Sequence, residues 1–194
     1  NTHLIVSEVE IFESTASAAA VSELAALRLD GALVDGFDPA TTAYELDVDG
    51  GRLPVVDAIA LDSAASVRVT QSTTANDGVA TIVVISADGS SETRYSITIR
   101  RHAVIADLQI VERPRVGTPA HATATIDPGD GDITWQWYLN GEPIAGANEQ
   151  SYTPETNDAG KELSVSVDVS AEGVEPATAE TAAQRIVSLH SREP

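Results

Sequence analysis

The residues best suited to chemistry are three aspartates in one short stretch. Asp127, Asp130 and Asp132 lie within the six-residue sequence Asp-Pro-Gly-Asp-Gly-Asp. Carboxylate oxygens are the ligands that Ca²⁺ prefers, and Ca²⁺ accepts about 6–8 of them. The stretch lacks the EF-hand order of ligands, and its proline and glycines are typical of a hairpin loop. The pattern favours a turn, with calcium binding as the alternative, and it indicates no other metal or cofactor.

The second candidate is an aromatic surface for sugar binding. Ile133, Trp135, Trp137 and Leu139 alternate along the chain, so they share one face of a predicted strand. All four are apolar, which predicts that this face lies in a core. Tyr138 is the only aromatic residue that the pattern places outward. A single tyrosine is a small platform, so Tyr138 marks the one ligand face that the sequence offers.

No pattern in the sequence indicates an active site. The four histidines have no spacing that would place two imidazoles on one metal ion, and no Gly-x-Ser-x-Gly motif occurs. A glycosidase needs two carboxylates facing each other across a cleft. A sandwich of about 80 residues fills its interior with its own side chains and leaves little room for such a cleft. We therefore expect no catalytic residue and no enzyme activity in this segment.

Composition excludes several classes of protein. The 194 residues contain 30 acids and 11 bases, which gives a net charge of −19. Binding to nucleic acid or to an anionic membrane needs patches of Lys and Arg, so neither is expected. The absence of cysteine excludes disulfides, thiol catalysis and zinc fingers. No apolar run approaches the roughly 18 residues that a membrane-spanning helix needs, so we expect no membrane insertion.

The elements that would hold these residues are short strands. Apolar and polar residues alternate in many segments, of which residues 95–99 and 163–169 are the clearest. Turn dipeptides such as Asp88-Gly89 and Asn140-Gly141 separate them, and helical periodicity is missing. The sequence therefore predicts an all-β protein made of two tandem small β-sandwiches. The predicted boundaries are residues 1–21, 22–101, 104–188 and 189–194: an upstream end with an Ala/Ser-rich linker, two sandwiches, and a tail.

The first predicted sandwich resembles a known family. Its Phe-Asp-Pro-x-x-x-x-Tyr element begins at Phe37, and its closing Tyr-x-Ile-x-Ile strand begins at Tyr95. These motifs are similar to those of bacterial cadherin-like β-sandwich domains over essentially residues 22–101. The linear calcium motifs of cadherins are missing from the sequence, so the resemblance does not imply a calcium site. We expect the aromatic rings of Phe37 and Tyr44 to close one end of the sandwich, with Asp38 capping the turn between them.

The second predicted sandwich resembles the bacterial Ig-like repeats that are appended to secreted enzymes and surface proteins. A Trp-bearing strand is followed by Asp-Ala-Gly-Lys, which begins at Asp158, and by a long alternating strand. Antibody domains join these strands through a disulfide, whereas this chain must pack Trp137 against aliphatic residues. Residues 1–13 resemble the last strand of a discoidin-type galactose-binding-like domain.

These resemblances imply a function for the whole segment. Such modules occur C-terminally in secreted glycoside hydrolases, so we expect non-catalytic spacers of an exported bacterial carbohydrate-active enzyme. The expected partners are upstream catalytic and carbohydrate-binding domains of the same polypeptide, and also polysaccharide or cell wall. The expected location is extracellular or at the cell surface. A carbohydrate- or cell-surface-binding module and the stalk of a bacterial adhesin are the alternatives. The joint at residues 100–103 is either a hinge or a fixed connection.

Overall fold

The computed structural model describes residues 20–188, and these residues form strands with two short 3-10 helices, Thr74–Asn76 and Thr156–Asp158. The predicted strand at the N-terminus and the predicted tail lie outside the described residues. No helix among residues 20–188 has the length and apolar character needed to cross a bilayer. The strands of the first sandwich are β1 (Leu24–Leu29), β2 (Ala32–Leu33), β3 (Ala43–Asp49), β4 (Val56–Ala60), β5 (Ser66–Thr70), β6 (Val79–Ile85) and β7 (Glu92–His102).

The second sandwich follows after a single residue, Ala103. Its strands are β8 (Val104–Ile110), β9 (Ala120–Asp127), β10 (Asp132–Leu139), β11 (Glu142–Pro143), β12 (Ser151–Tyr152), β13 (Glu162–Ala171), β14 (Val174–Glu180) and β15 (Gln184–Arg185). The prediction of an all-β chain with two tandem sandwiches is confirmed. The sandwich boundaries inferred from the sequence stay predictions.

The first sandwich packs a small sheet, in the order β2-β1-β4, against the strands β3, β7, β6 and β5. Strands β5, β6 and β7 are antiparallel neighbours, and β3 runs parallel to β7. Side chains from both sheets meet in one core, because each strand turns alternate residues inward. The fully or nearly fully buried members of that core are Leu24, Leu27, Val56, Ala80, Ile82, Val84, Tyr95, Ile97 and Ile99.

Side chains at one end of the first sandwich are held by hydrogen bonds and by stacking of two rings. The hydroxyl of Tyr95 donates to the carbonyl of Pro39 at 2.9 Å and accepts from the amide of Leu24 at 3.2 Å. The rings of Phe37 and Tyr44 stack with centroids 5.6 Å apart and pack against the core. Asp38 accepts from the amide of Ala40 at 3.0 Å, so the turn has the cap that its sequence predicts.

The second sandwich packs the sheet β12-β9-β8 against β11-β10-β13-β14, with β15 paired to β13. Trp137 is completely buried at the centre of its core, and the indole N–H donates to the carbonyl of Glu149 at 2.8 Å. The neighbouring alternate residues Ile133, Trp135 and Leu139 also pack against the core. The face assigned to the core from alternation along β10 therefore does lie there.

Candidate functional site

The junction of the two sandwiches brings together residues that lie far apart in the sequence. In β7, the side chains of Tyr95, Ile97 and Ile99 point into the first core. Alternation along the strand places Arg101 next in the same row, and Arg101 is only 9% exposed. Because β7 continues beyond Ile99, its last apolar core position, to His102, the charged side chain of Arg101 is placed between the two sandwiches.

Arg101 contacts the backbone of both sandwiches. Its Nη1 donates to the carbonyl of Gly51, which follows β3. Its Nη2 donates to the carbonyl of Glu172, between β13 and β14, at 3.2 Å. Among residues 20–188 no carboxylate forms an ion pair with this guanidinium. Burial of a charge costs free energy unless hydrogen bonds replace the lost water. The two carbonyls supply such bonds only while the sandwiches keep this relative position, so Arg101 favours that position.

One β-sheet runs through both sandwiches at this point. Strand β14 of the second sandwich pairs in parallel with the end of β7, with Val174 opposite Arg101 and Glu175 opposite His102. Immediately after β7, the amide of Ala103 donates to the carbonyl of Glu175 at 2.9 Å. The sheet order is therefore β11-β10-β13-β14-β7-β6-β5, without a break between the sandwiches.

Two glycines let a loop of the first sandwich approach the second. The amide of Gly51 donates to Oδ1 of Asp127 at 3.0 Å. A Cβ atom on Gly51 would lie 2.5 Å from Cβ of Pro128, and one on Gly50 would overlap the Asp127 carboxylate. Gly50 also has φ +91°, a conformation that favours glycine. Only residues without a side chain fit at this contact.

The predicted calcium loop forms part of the same junction. Asp130, Asp132, Glu172 and Arg101 line a cleft of about 340 Å³ between the sandwiches. Asp127 bonds to the Gly51 amide instead of converging on the other two aspartates. In the described part of the chain, no group of three or more His, Cys, Asp or Glu side chains is arranged to hold a metal ion. Calcium binding by this loop stays a prediction, while Asp127 has a structural role that the sequence did not suggest.

Tyr138 lies on the outward face of β10, as predicted, but it is half-buried. Its hydroxyl lies 3.3 Å from Oγ of Ser166 on the neighbouring strand β13. Pro143 is its partner on the other side, in β11. A tyrosine held between two strands offers less free ring surface than the exposed platform that sugar stacking needs.

A second polar cluster stabilises a corner of the second sandwich. Asp158 is buried and accepts hydrogen bonds from Tyr152 Oη at 2.9 Å, the Glu155 amide at 2.9 Å and Lys161 Nζ at 3.0 Å. Burial alone would raise the pKa of Asp158, but these three donors lower it below its ordinary value. Burial, and then the bond to Asp158, raise the pKa of Tyr152 to about 12.

One feature of the sequence points to the junction, although it belongs to no recognised motif. Arg101 occupies the next alternate position after Tyr95, Ile97 and Ile99, so periodicity alone places it on the core side of β7. Asp49-Gly50-Gly51 has the composition of a turn, and its two glycines also leave space for the side chains of Asp127 and Pro128. What the sequence lacked was the identity of the partner, because Asp127, Pro128 and Glu172 lie about 70 or more residues away.

Several solved structures are similar to this chain, and some of them consist of Ig domains. Dscam1 isoform 6.9, in its N-terminal four Ig domains, is 14% identical with a TM-score of 0.36, covering 87% of this chain and 47% of that one. Three N-terminal domains of the highly immunogenic outer capsid protein of bacteriophage RB49 are 16% identical with a TM-score of 0.38, covering 84% and 47%. The chain thus spans about half of these structures. TM-scores this low transfer neither a domain arrangement nor a function.

A closer sequence relative is an exo-beta-1,6-galactobiohydrolase of Bifidobacterium longum subsp. longum. It is 37% identical over 119 residues, which are 56% of this chain and 8% of that protein. The chain therefore corresponds to a small part of its relative's length. Residues 17–102 match the family model of the cadherin-like beta sandwich domain, in agreement with the strands β1–β7 and their single core. By this match, the first sandwich is similar to the cadherin-like beta sandwich domain.

Proposed function

We propose that the two sandwiches form a rigid, non-catalytic spacer in an exported carbohydrate-active enzyme, a glycoside hydrolase. In this role they hold catalytic and carbohydrate-binding parts of the same polypeptide at a fixed distance and orientation. The observation that carries the proposal is the sheet shared by β7 and β14. Tandem domains joined by a flexible linker move relative to each other, whereas a shared sheet with a buried Arg101 resists bending.

The enzymatic context rests on the relative named above. Its name is that of a glycoside hydrolase, and the matched region is only 8% of it, so we infer that the shared segment is an accessory part of that larger enzyme. We extend that context to this chain, with an extracellular or cell-surface location and with polysaccharide or cell wall as its surroundings. The half-buried Tyr138 supports a spacer over a sugar-binding module.

Distance measurements between the sandwiches test the spacer. The chain has no cysteine, so Leu61→Cys and Val111→Cys accept two spin labels without further changes. Both side chains are exposed, one on each sandwich. Pulsed electron paramagnetic resonance on the purified chain should give one narrow distance distribution. A broad distribution would mean that the junction is a hinge, and the rigid spacer would then be rejected.

A glycine variant tests the cause of the rigidity. Gly51→Ala introduces a Cβ atom 2.5 Å from Pro128, so we expect the distance distribution to broaden or shift while each core stays folded. Gly129→Ala is the matched control, because its nearest contact is 3.6 Å away, at the Ile126 carbonyl. It should leave the distribution unchanged.

A glycan array distinguishes a spacer from a carbohydrate-binding module. Saturable binding of a glycan by the unmodified chain would favour the binding module over the spacer.

A further inference from the structure

The outer face of strands β5, β6 and β7 carries an open groove of about 660 Å³. The register places Arg68 of β5 opposite Val83 of β6, and Val83 opposite Arg94 of β7. These three side chains point outward, because the residues between them fill the first core. Other outward side chains that line the groove are those of Ser66, Thr70, Thr81, Ile85 and Glu92.

The groove is positively charged on a chain that is strongly acidic. Its lining holds two arginines and one glutamate, whereas the whole chain has a net charge of −19. Neighbouring strands lie about 4.8 Å apart, so the Cα atoms of Arg68 and Arg94 are roughly 10 Å apart. Their long side chains can converge above Val83. The charge of the groove therefore complements a negatively charged ligand.

The two arginines differ in their present partners. Arg68 is exposed and forms no ion pair among residues 20–188. Arg94 pairs with Glu92 at 3.0 Å, and the two side chains are 64% and 50% exposed. Exposed ion pairs contribute little to stability, because water and salt compete with them. Arg94 can therefore exchange Glu92 for a better acceptor.

This arrangement favours a phosphate over a carboxylate as that acceptor. A carboxylate ligand would offer Arg94 only what Glu92 already supplies. A phosphate monoester carries a charge of about −1.5 to −2 at pH 7 and has three acceptor oxygens. It can therefore accept from two guanidiniums at once, each through the paired N–H donors that suit phosphate geometry.

We propose that the groove binds a sugar phosphate, with the phosphate held between Arg68 and Arg94. Thr70 and Thr81 lie opposite each other beside the arginines, and their hydroxyls bond to the sugar hydroxyls. The side chain of Val83 contacts the C–H groups of the ring. Recognition depends on the phosphate, so glycans without phosphate do not bind. The proposal goes beyond the spacer role and does not depend on the rigidity of the junction.

Chemical shift titrations in nuclear magnetic resonance spectra test the ligand with three related sugars. Glucose 6-phosphate at pH 7 should shift the backbone amides of β5, β6 and β7 saturably in the purified chain. Glucuronate, with a carboxylate at the same ring position, should bind about tenfold more weakly, and glucose should not bind. Equal affinity for glucuronate would overturn the choice of phosphate. Shifts confined to other strands would overturn the site.

Matched variants test the two arginines. Arg68→Gln and Arg94→Gln each remove one guanidinium and should weaken the binding of glucose 6-phosphate by about tenfold. Arg113→Gln is the control, because it removes the same charge from an exposed arginine of the second sandwich. It should leave the affinity nearly unchanged. Equal weakening in all three variants would mean that only net charge matters, and the proposed site would be rejected.

The ion pair of Arg94 provides a test of opposite sign. Glu92→Gln frees Arg94 and should strengthen the binding of glucose 6-phosphate several-fold. Glu45→Gln is the control, because it frees Arg100, its partner at 2.7 Å. Arg100 lies about 20 Å further along β7, so this variant should change the affinity little. Unchanged or weaker binding in Glu92→Gln would overturn the exchange of partners at Arg94, on which the choice of phosphate rests.

Discussion

The side chains of Asp158 and Tyr152 affect each other's pKa at one corner of the second sandwich, where the Asp158 carboxylate accepts from three donors. Tyr152 donates to Asp158 and Lys161 lies within ion-pair distance. The tyrosine must stay protonated and the aspartate ionised for both contacts to exist. The corner therefore responds to pH at both ends of the scale, because each group titrates at a different pH in the folded and unfolded chain.

The pKa of Tyr152 is raised from about 10 to about 12 on folding. A group with a raised folded pKa stabilises the fold fully below its unfolded pKa, and this stability is lost as pH rises. We expect the urea midpoint of the second sandwich to fall between pH 10 and pH 12 in the unmodified chain. Tyr152→Phe should lower the free energy of unfolding by about 1 kcal/mol at neutral pH, through the lost hydrogen bond, and should remove most of the alkaline decline.

Tryptophan fluorescence follows this transition selectively, because both tryptophans lie in β10 of the second sandwich. Tyr44→Phe, in the first sandwich, is the control and should leave the alkaline decline in place. Since the pKa of Asp158 is lowered on folding, its contribution is present above its ordinary value near 3.8 and is lost as pH falls below it. An alkaline decline that persists in Tyr152→Phe would assign it to another group.

Individual strands show how alternation sorts neighbouring residues into different environments. In β10, Trp137 is fully buried with a hydrogen-bonded indole, whereas the adjacent Tyr138 is half-buried on the outer face. The two residues face Val165 and Ser164 on β13. Substitutions at these two consecutive positions should therefore lower the free energy of unfolding by different amounts, even though both residues are aromatic.

We expect Trp137→Phe to destabilise the second sandwich by about 2–4 kcal/mol, from a cavity and the carbonyl of Glu149 left without its donor. Tyr138→Phe should cost less than about 1 kcal/mol, because only a long contact with Ser166 is lost. Chemical unfolding followed by circular dichroism measures both. Equal losses would mean that the face assignment of β10 is wrong.

At the scale of the whole molecule, the described residues of the two sandwiches are joined by one continuous sheet. A positive charge is already present there, because Arg101 donates to the carbonyls of Gly51 and Glu172. One oxygen of Asp127 is occupied by the Gly51 amide. We therefore expect the two sandwiches to stay joined without a bound cation.

We expect the distance distribution between labels on Leu61→Cys and Val111→Cys to be the same in calcium and in a chelator. The ionic strength is matched with sodium chloride, because screening alone weakens interactions between exposed charges. Narrowing of the distribution by calcium, but not by added sodium chloride, would show that the acidic loop at Asp130 and Asp132 binds the ion and stiffens the junction.

The sequence by itself determined the local properties of this protein. Alternation and turn residues give strands, and the row of Ile133, Trp135 and Trp137 identifies a core face, because burial of every second side chain is a local consequence of the pleat. The Phe37 motif and the closing strand at Tyr95 were sufficient to indicate the resemblance to the cadherin-like family, whose model matches residues 17–102. These features depend on residues a few positions apart.

Only the tertiary structure decided what lies between the sandwiches. Whether residues 100–103 are a hinge or a fixed joint depends on β14 pairing with β7, a contact about 70 residues apart in sequence. The contact of Asp127 also depends on residues that are distant in sequence. The sequence suggested Asp127 as a calcium ligand, whereas in the fold it accepts a hydrogen bond from Gly51. Periodicity fixes which way a side chain points, but partners brought together by long-range folding decide what it meets there.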